Sequence, residues 1–415
     1  MMQYWPIANS NGRSIPLVNA ISVMQTHLFE DNFNDLIMGK LIKILQLQPF
    51  YNVKSDDTSD LAEQIVNAFP KDKYEVTSGY LYGNPGATGH KSRAANSHYF
   101  NFKRSDLKGL RIKLLYEIYK HCRSKNYDVV ICNRFKTVSP MLQLNKLLKI
   151  PLCIGISHVM DEYARSYRRH QVRFLADSKW RLVGVSDAVK EVLINYKCGL
   201  NQNNTYAITN AIDTQKLIGR MLTKNEARSE LGLPLDTKII GAVGRLVRVK
   251  GHEYLIQAFA SIEKKYPNTI LAIIGEGKER DRLTRLINNL NINHKVYLLG
   301  SKENAAHYIK AFDIFAMPSI QEGLGLALLE GMCGSLPIIA SDIPAMRSLI
   351  TGSGGIAVLP KDIKSLAEAI SQYLDLNESE LELKGSHCLS YVLQNHTISK
   401  YRQDFLNLIE SNLSE

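Results

Sequence analysis

Two glutamates, Glu322 and Glu330, enclose seven residues in the run Glu322-Gly323-Leu324-Gly325-Leu326-Ala327-Leu328-Leu329-Glu330. The apolar stretch 314–317 ahead of it reads as a strand, and the leucine-rich segment inside it as the start of a helix. Glu322 then falls in the connecting loop. Gly323 and Gly325 leave backbone N–H groups open at the helix N-terminus, and Glu330 comes one to two turns into the helix. Carboxylates are strong acceptors for vicinal hydroxyls, so one can reach a sugar and the other a ribose. The helix end between them would stabilise a diphosphate that gains charge as it leaves. Alone, the pair is better read as a capping glutamate and a surface glutamate.

A second run, Gly244-Arg245-Leu246-Val247-Arg248-Val249-Lys250-Gly251, follows a strand at 238–243 and precedes a helix. Open α/β sheets bind ligands at the carboxyl ends of their strands. Gly244 and Gly251 let backbone approach an anion there, and Arg245 and Lys250 neutralise it, so a diphosphate is the natural guest. Without other signals, such a loop is also what a solvated basic surface looks like.

Parallel strands alternating with helices must position both runs, and the chain has that pattern nearly throughout, which sets the fold class as α/β. In the first half, strands are predicted at 43–47, 74–77, 127–132, 151–156 and 181–185, with a helix over 58–69 and a turn-rich loop at 83–92. The pattern restarts near Ala211, with strands at 238–243, 269–274, 296–299, 314–317, 337–340 and 355–358 and a helix over 253–266. The predicted domains are an N-terminal extension over 1–40, a Rossmann-like domain over 41–210, a second over 211–396, and a last segment over 397–415. Its helix, 397–411, is expected to pack back on the first domain. Either Met38 is the true start, or residues 1–37 form an appendage or an ordinary amphipathic helix over 21–36.

Composition narrows the class. The chain has 415 residues, more than one ordinary domain, and 45% apolar with 22% charged residues excludes wholesale disorder. The six cysteines are scattered, without a CxxC pair or a histidine at ligand spacing, and read as buried thiols in a reducing cytoplasm. No run of 18 apolar residues and no signal-peptide pattern occurs, so a cytoplasmic location is expected. The formal charge of +11 implies an anionic partner: nucleic acid, a phosphorylated glycolipid or the inner surface of a membrane.

Taken together, these residues resemble the family 4 retaining glycosyltransferases of the GT-B fold, from about Lys43 to the end of the chain. The spaced glutamates, the loop 244–251, Ile274-Gly275-Glu276-Gly277 and Thr209-Asn210-Ala211-Ile212-Asp213 fall in that family's order. The resemblance implies two Rossmann-like domains facing a cleft, the one over 41–210 an acceptor domain and the one over 211–396 a nucleotide-sugar donor domain. It implies a nucleotide diphosphate sugar as donor, with Arg245 and Lys250 on the diphosphate, Glu330 on the ribose and Glu322 on the transferred sugar. Gly244, Glu276, Gly323, Leu324 and Gly325 complete the expected donor site, and His158, after the strand 151–156, is expected to line the cleft near the reacting sugar. Ser186 also matches a family element, although a helix N-cap explains it. No cofactor and no metal are expected, since Arg245 and Lys250 supply the charge. The sequence departs from the family in the Asp56-Asp57-Thr58-Ser59-Asp60 loop, where many relatives carry paired glycines and where Asp57 or Thr58 reads as a helix cap. It departs again at Leu324, where an aromatic residue is common, and at 343–347, which lacks a frequent glutamate.

For the acceptor, a basic and aromatic helix over 161–174 is predicted, in which Arg165, Arg168, Arg169 and Arg173 would meet an acceptor glycolipid or an anionic membrane surface, with Tyr163 and Tyr167 at the interface. A solvated basic face is the plainer alternative. The expected reaction transfers a hexose or N-acetylhexosamine to a cell-envelope glycan or glycolipid, in lipopolysaccharide or other surface polysaccharide synthesis. A nucleotide-sugar epimerase of similar fold and a non-enzymatic anionic-polymer-binding protein are the alternatives. No nucleic-acid motif occurs, and no nucleic-acid partner is expected.

Overall fold

The computed structural model describes residues 40–53, 60–87, 89–107, 109 and 111–413. The N-terminal expectations for 1–37 and the loop residues Asp56 to Ser59 lie outside the described residues. The helix that follows that loop is Leu61–Val66, and its cap is Asp60, whose carboxylate accepts from the Glu63 amide.

Thirteen described strands form two wholly parallel sheets. The first holds β1 (Ile42–Gln48), β2 (Tyr74–Tyr80), β3 (Asn96–Tyr99), β4 (Val129–Asn133), β5 (Leu152–Ser157), β6 (Trp180–Gly184) and β7 (Thr205–Ala207), in the order β3-β2-β1-β4-β5-β6-β7. The second holds β8 (Lys238–Val243), β9 (Thr269–Ile274), β10 (Val296–Leu298), β11 (Ile314–Met317), β12 (Ile338–Ser341) and β13 (Ile356–Val358), in the order β10-β9-β8-β11-β12-β13. Helices cover both faces of such sheets, which explains why central strands are apolar runs rather than alternations; all six residues of β9 are buried. Each sheet reverses strand order once, between β1 and β4 and between β8 and β11, and a crevice opens at the carboxyl ends there. This is the GT-B architecture.

Two chain segments cross side by side between the sheets. Ile212 pairs with Thr397 in an isolated parallel bridge, and the Ile212 amide donates to the His396 carbonyl at 3.4 Å. Beyond the second crossing, helix Ile398–Leu413 buries Tyr401, Phe405, Leu408 and Ile409 in the first domain's core. Glu410 pairs with Lys73 at 2.6 Å and accepts from the Tyr74 hydroxyl at 3.1 Å.

One predicted helix starts late. The segment expected to be helical from Asp161 forms turns up to Arg165, and the helix is Ser166–Leu175. The turn lets Glu162 fold back beneath the ends of β4 and β5, and Tyr163 is fully buried.

Candidate active site

At the second sheet's switch point the two signature loops are physically joined. The loop leaving β8 makes a short 3-10 turn, Arg248–Lys250, and then Gly251 at φ 68°, a conformation that disfavours any side chain. A Cβ on Gly251 would also lie 2.0 Å from the Pro318 carbonyl oxygen, so the exits of β8 and β11 touch backbone to backbone. The Ile320 amide donates to the Val249 carbonyl at 2.8 Å across the same seam. Lys250 Nζ therefore reaches Glu322 Oε1 at 2.7 Å, and Ser319 Oγ donates to that oxygen at 2.7 Å. The ammonium and carboxylate are 19% and 13% exposed, so the pair faces the crevice while partly desolvated.

Arg245 is exposed beside it, with no side-chain hydrogen bond or ion pair among the described residues. Helix Leu326–Cys333 begins at Gly325 without a side-chain cap, and its first amides are open toward the crevice end. Glu330 is the fifth residue of that helix, just over one turn in. Gly244 meets the β9 exit, where its amide donates to Ile274, and the Leu246 amide donates to Glu276.

Of the other expected donor residues, Leu324 lies in the core and Glu276 stays at the β9 exit beside the Gly244 loop. The Leu324 side chain is 3% exposed and belongs to the second domain's core, so it packs against apolar residues rather than shaping a sugar pocket. The Glu276 carboxylate is exposed and paired with Arg280 at 2.7 Å, one helical turn further on.

The first domain closes on this loop through His158 and Ser186. A Cβ on Gly323 would lie 2.0 Å from the His158 carbonyl oxygen, so backbone of the two domains meets here only because the residue is glycine. The Ser186 hydroxyl donates to the Gly323 carbonyl at 2.8 Å. It also accepts from the Val189 amide, so the capping explanation accounts for only half of what Ser186 does.

His158 is held at its ring and at its backbone amide, and the carboxylate that holds the amide is itself fixed. Its ring Nε2 is 3.1 Å from Asn133 Oδ1, its amide donates to Glu162 Oε2 at 3.0 Å, and Glu162 Oε1 accepts from the Phe135 amide at 2.8 Å. Burial, and then the charge of Arg134, lower the imidazole to about 4, so it is neutral at pH 7. It orients and hydrogen-bonds but brings no positive charge. Arg134 itself sits at φ 68° and ψ 159°, a region held almost solely by glycine, at the carboxyl end of β4. Neither Asn133, Arg134 nor Glu162 carries a motif; their roles come from strand register.

His252 was equally hidden in the sequence. It is 5% exposed beneath Gly244, and neither ring nitrogen has a hydrogen-bond partner among the described residues. Burial first, and Lys250 second, lower it to about 4 from the ordinary 6.5. A folded pKa below the unfolded value means that the unfolded chain binds more protons between them. Stability is then full above about pH 6.5 and is lost as pH falls toward 4. At pH 5, His252 should cost about 2 kcal/mol. Urea unfolding at pH 7.5 and pH 5 checks this, and His252→Gln should remove about that much of the difference.

Among the expected acceptor residues, Arg168 donates to the Glu162 carbonyl and lies 4.9 Å over the Phe135 ring, while Arg169 lies 5.3 Å over Tyr196. Both guanidiniums are engaged by the protein. Arg165 and Arg173 remain exposed, with Tyr167 and Phe174 at 49% and 70% exposure.

Residues 223–385 match the family model described as glycosyl transferases group 1. Fold and family model together support one class of protein, a GT-B glycosyltransferase. The chain is similar to the D-inositol 3-phosphate glycosyltransferase of Corynebacterium urealyticum, with 31% identity over 45% of this chain and 48% of that one. The matched stretch thus spans about half the length of this curated relative. It is also similar to the UDP-Gal:alpha-D-GlcNAc-diphosphoundecaprenol alpha-1,3-galactosyltransferase of Escherichia coli, with 25% identity over 70% of this chain and 76% of that one. Among solved structures, HepE of Anabaena in complex with UDP superposes with a TM-score of 0.75 at 19% identity, covering 89% of this chain and all of that one.

Proposed function

We propose that the chain is a retaining glycosyltransferase, moving a hexose or N-acetylhexosamine from a nucleotide diphosphate sugar to a cell-envelope glycan or glycolipid. The observation that carries this reading is the Lys250–Glu322 pair at the β8/β11 switch point, opposed across the cleft by His158. Arg245, Lys250 and the open helix end at Gly325 hold the diphosphate, Glu330 the ribose and Glu322 the sugar hydroxyls. The bond from the anomeric carbon to the diphosphate oxygen breaks, and the acceptor oxygen bonds to that carbon on the same face. The acceptor proton passes to the departing diphosphate, and the cations stabilise the charge developing there without a metal. The Escherichia coli relative, a galactosyltransferase named for a diphosphoundecaprenol-linked sugar, supports a lipid-linked acceptor class.

Binding and slow hydrolysis of UDP-, GDP- and ADP-sugars test the donor assignment. One donor should stand out, hydrolysis should persist in EDTA, and Glu330→Ala should weaken that donor at least tenfold, about 1.4 kcal/mol. A donor bound equally by wild type and Glu330→Ala would overturn the assignment.

The same reading places the protein at an anionic inner-membrane surface. Phe174, Tyr167, Ile112 and Tyr116 are exposed on the first domain, and Arg165 and Arg173 are exposed beside Tyr167 and Phe174 along helix Ser166–Leu175. No helix among the described residues is long and apolar enough to cross a membrane. Flotation with phosphatidylglycerol liposomes should be strong, and Phe174→Ala with Arg173→Glu should abolish it. Equal flotation with neutral liposomes would refute the electrostatic part.

A further inference from the structure

His252 is a buried polar side chain beneath the donor loop that the chemistry above leaves unused. It follows Gly251 directly and is the first residue of helix His252–Ile262. A Cβ built on Gly244 would lie 3.7 Å from His252 Nε2, and 3.6 and 3.7 Å from Lys250 Cδ and Cε. The imidazole and the lysine stem therefore lie side by side against one face of Gly244. Gly244 is half-buried and Arg245 exposed, whereas His252 is 5% exposed. The Gly244–Arg245 peptide thus lies between the buried ring and the crevice.

Around that peptide the loop is tied down. The Gly244 amide donates to Ile274 at 3.0 Å, the Leu246 amide to Glu276 at 2.9 Å, and the Glu279 amide to the Leu246 carbonyl at 3.0 Å. The imidazole below it is not. A neutral ring carries one N–H donor and one bare acceptor nitrogen, and neither has a partner among the described residues. The Arg245 and Gly244 backbone favours the protonated ring, as carbonyl oxygens do, without reaching hydrogen-bonding geometry. Burial first, and Lys250 second, act the other way and keep the ring neutral. The Gly244 oxygen also lies against Gly275, where a Cβ would be 1.9 Å away, so no side chain at that position competes with the imidazole for it. Buried polar groups almost always have partners. Contacts of this kind in a binding site are often long or misaligned until substrate tightens them.

We propose that His252 is a positioning residue for the donor: when the diphosphate binds, the Gly244–Arg245 peptide settles on the imidazole, and a ring N–H donates to the Gly244 carbonyl. The carbonyl and N–H of a trans peptide point in opposite directions, so holding the Gly244 oxygen below aims the Arg245 amide at the diphosphate above. The neutral ring does this without adding a charge beside Lys250. The inference rests on the glycosyltransferase reading.

The test is titration of the full chain at pH 7.5 with UDP-, GDP- and ADP-sugars, following the preferred donor in two variants. His252→Leu should weaken that donor about fivefold or more, the worth of one buried hydrogen bond. Its melting temperature should equal or exceed that of wild type, because two unsatisfied nitrogens are gone. His252→Gln, whose amide can donate to the same carbonyl, should bind the donor within about twofold of wild type. The loss should fall on KM, with kcat nearly unchanged, because the contact is made alike in ground and transition states. In wild type, the ring N–H proton signal that is missing from His252→Gln should move downfield when the donor binds. Equal donor binding by wild type and His252→Leu, or a ring signal unmoved by donor, would overturn the proposal. So would loss of donor binding in both variants together with lowered melting temperatures, which is what a purely structural histidine would give. Should His252→Leu not fold, His252→Gln and the ring signal still decide. Absence of any sugar-nucleotide binding by wild type is a different result: it would sink the glycosyltransferase reading, and this inference with it.

Discussion

Lys250→Ala should lower kcat for sugar transfer by about 10²- to 10³-fold, roughly 3–4 kcal/mol of transition-state stabilisation. The melting temperature should move little. Lys250 holds Glu322 Oε1 at 2.7 Å, but Ser319 holds the same oxygen at 2.7 Å, so the carboxylate keeps a partner in the variant. What the variant loses is the cation beside a diphosphate whose negative charge grows as the anomeric bond breaks. That charge is greater in the transition state than in the bound donor, so the loss should fall on kcat rather than on KM. Lys250→Arg should recover only part of the rate, because a planar guanidinium cannot replace a compact ammonium in this narrow contact. Steady-state kinetics with the preferred donor check the prediction. A raised KM with unchanged kcat would mean that Lys250 only binds, equally in ground and transition states.

The elements that position this site were largely legible, for a physical reason. Central strands of a parallel sheet are buried on both faces, so 238–243 and 269–274 announce themselves as apolar runs, and the observed strands coincide with them. The first sheet's edge strands lack that signal, unlike the short apolar edge strands Val296–Leu298 and Ile356–Val358 of the second. Asn96–Tyr99 has two exposed residues and polar composition, and Thr205–Ala207 is three residues long; neither was predicted. The same division runs through the site. Glu322, Lys250 and Arg245 lie on loops whose glycines and charges form a readable pattern. Asn133, Glu162 and His252 do not, because the role of each depends on what long-range pairing sets beside it. Leu324 shows the converse error: its place in a motif suggested a pocket wall, whereas the backbone turns its side chain into the core.

Asp313→Ala should destabilise the second domain by about 3–5 kcal/mol, the cost of leaving a buried charge without its partner. Asp313 begins the β11 side of the switch point at the end of the sheet opposite the site. Its Oδ2 accepts from Arg228 at 2.8 Å and from the Ile239 amide of β8 at 2.6 Å, and its Oδ1 accepts from Lys224 at 2.6 Å. Arg228 is 1% exposed, and its Nε donates to the Ala311 carbonyl at 2.8 Å. One carboxylate thus ties helix Lys224–Leu231 to the two strands whose exits carry Lys250 and Glu322. Without it, the guanidinium stays in the interior with only carbonyls to neutralise it, and a backbone amide loses its acceptor. Urea unfolding should show the second domain's transition at lower denaturant. Asp313→Leu combined with Arg228→Met should cost much less than the two changes summed, because the double variant buries no charge. Additive losses would mean that the pair is not coupled. A large fall in donor affinity at temperatures where Asp313→Ala is still folded would show that this distant tie also sets the spacing of β8 and β11, and hence the 2.7 Å contact between Lys250 and Glu322.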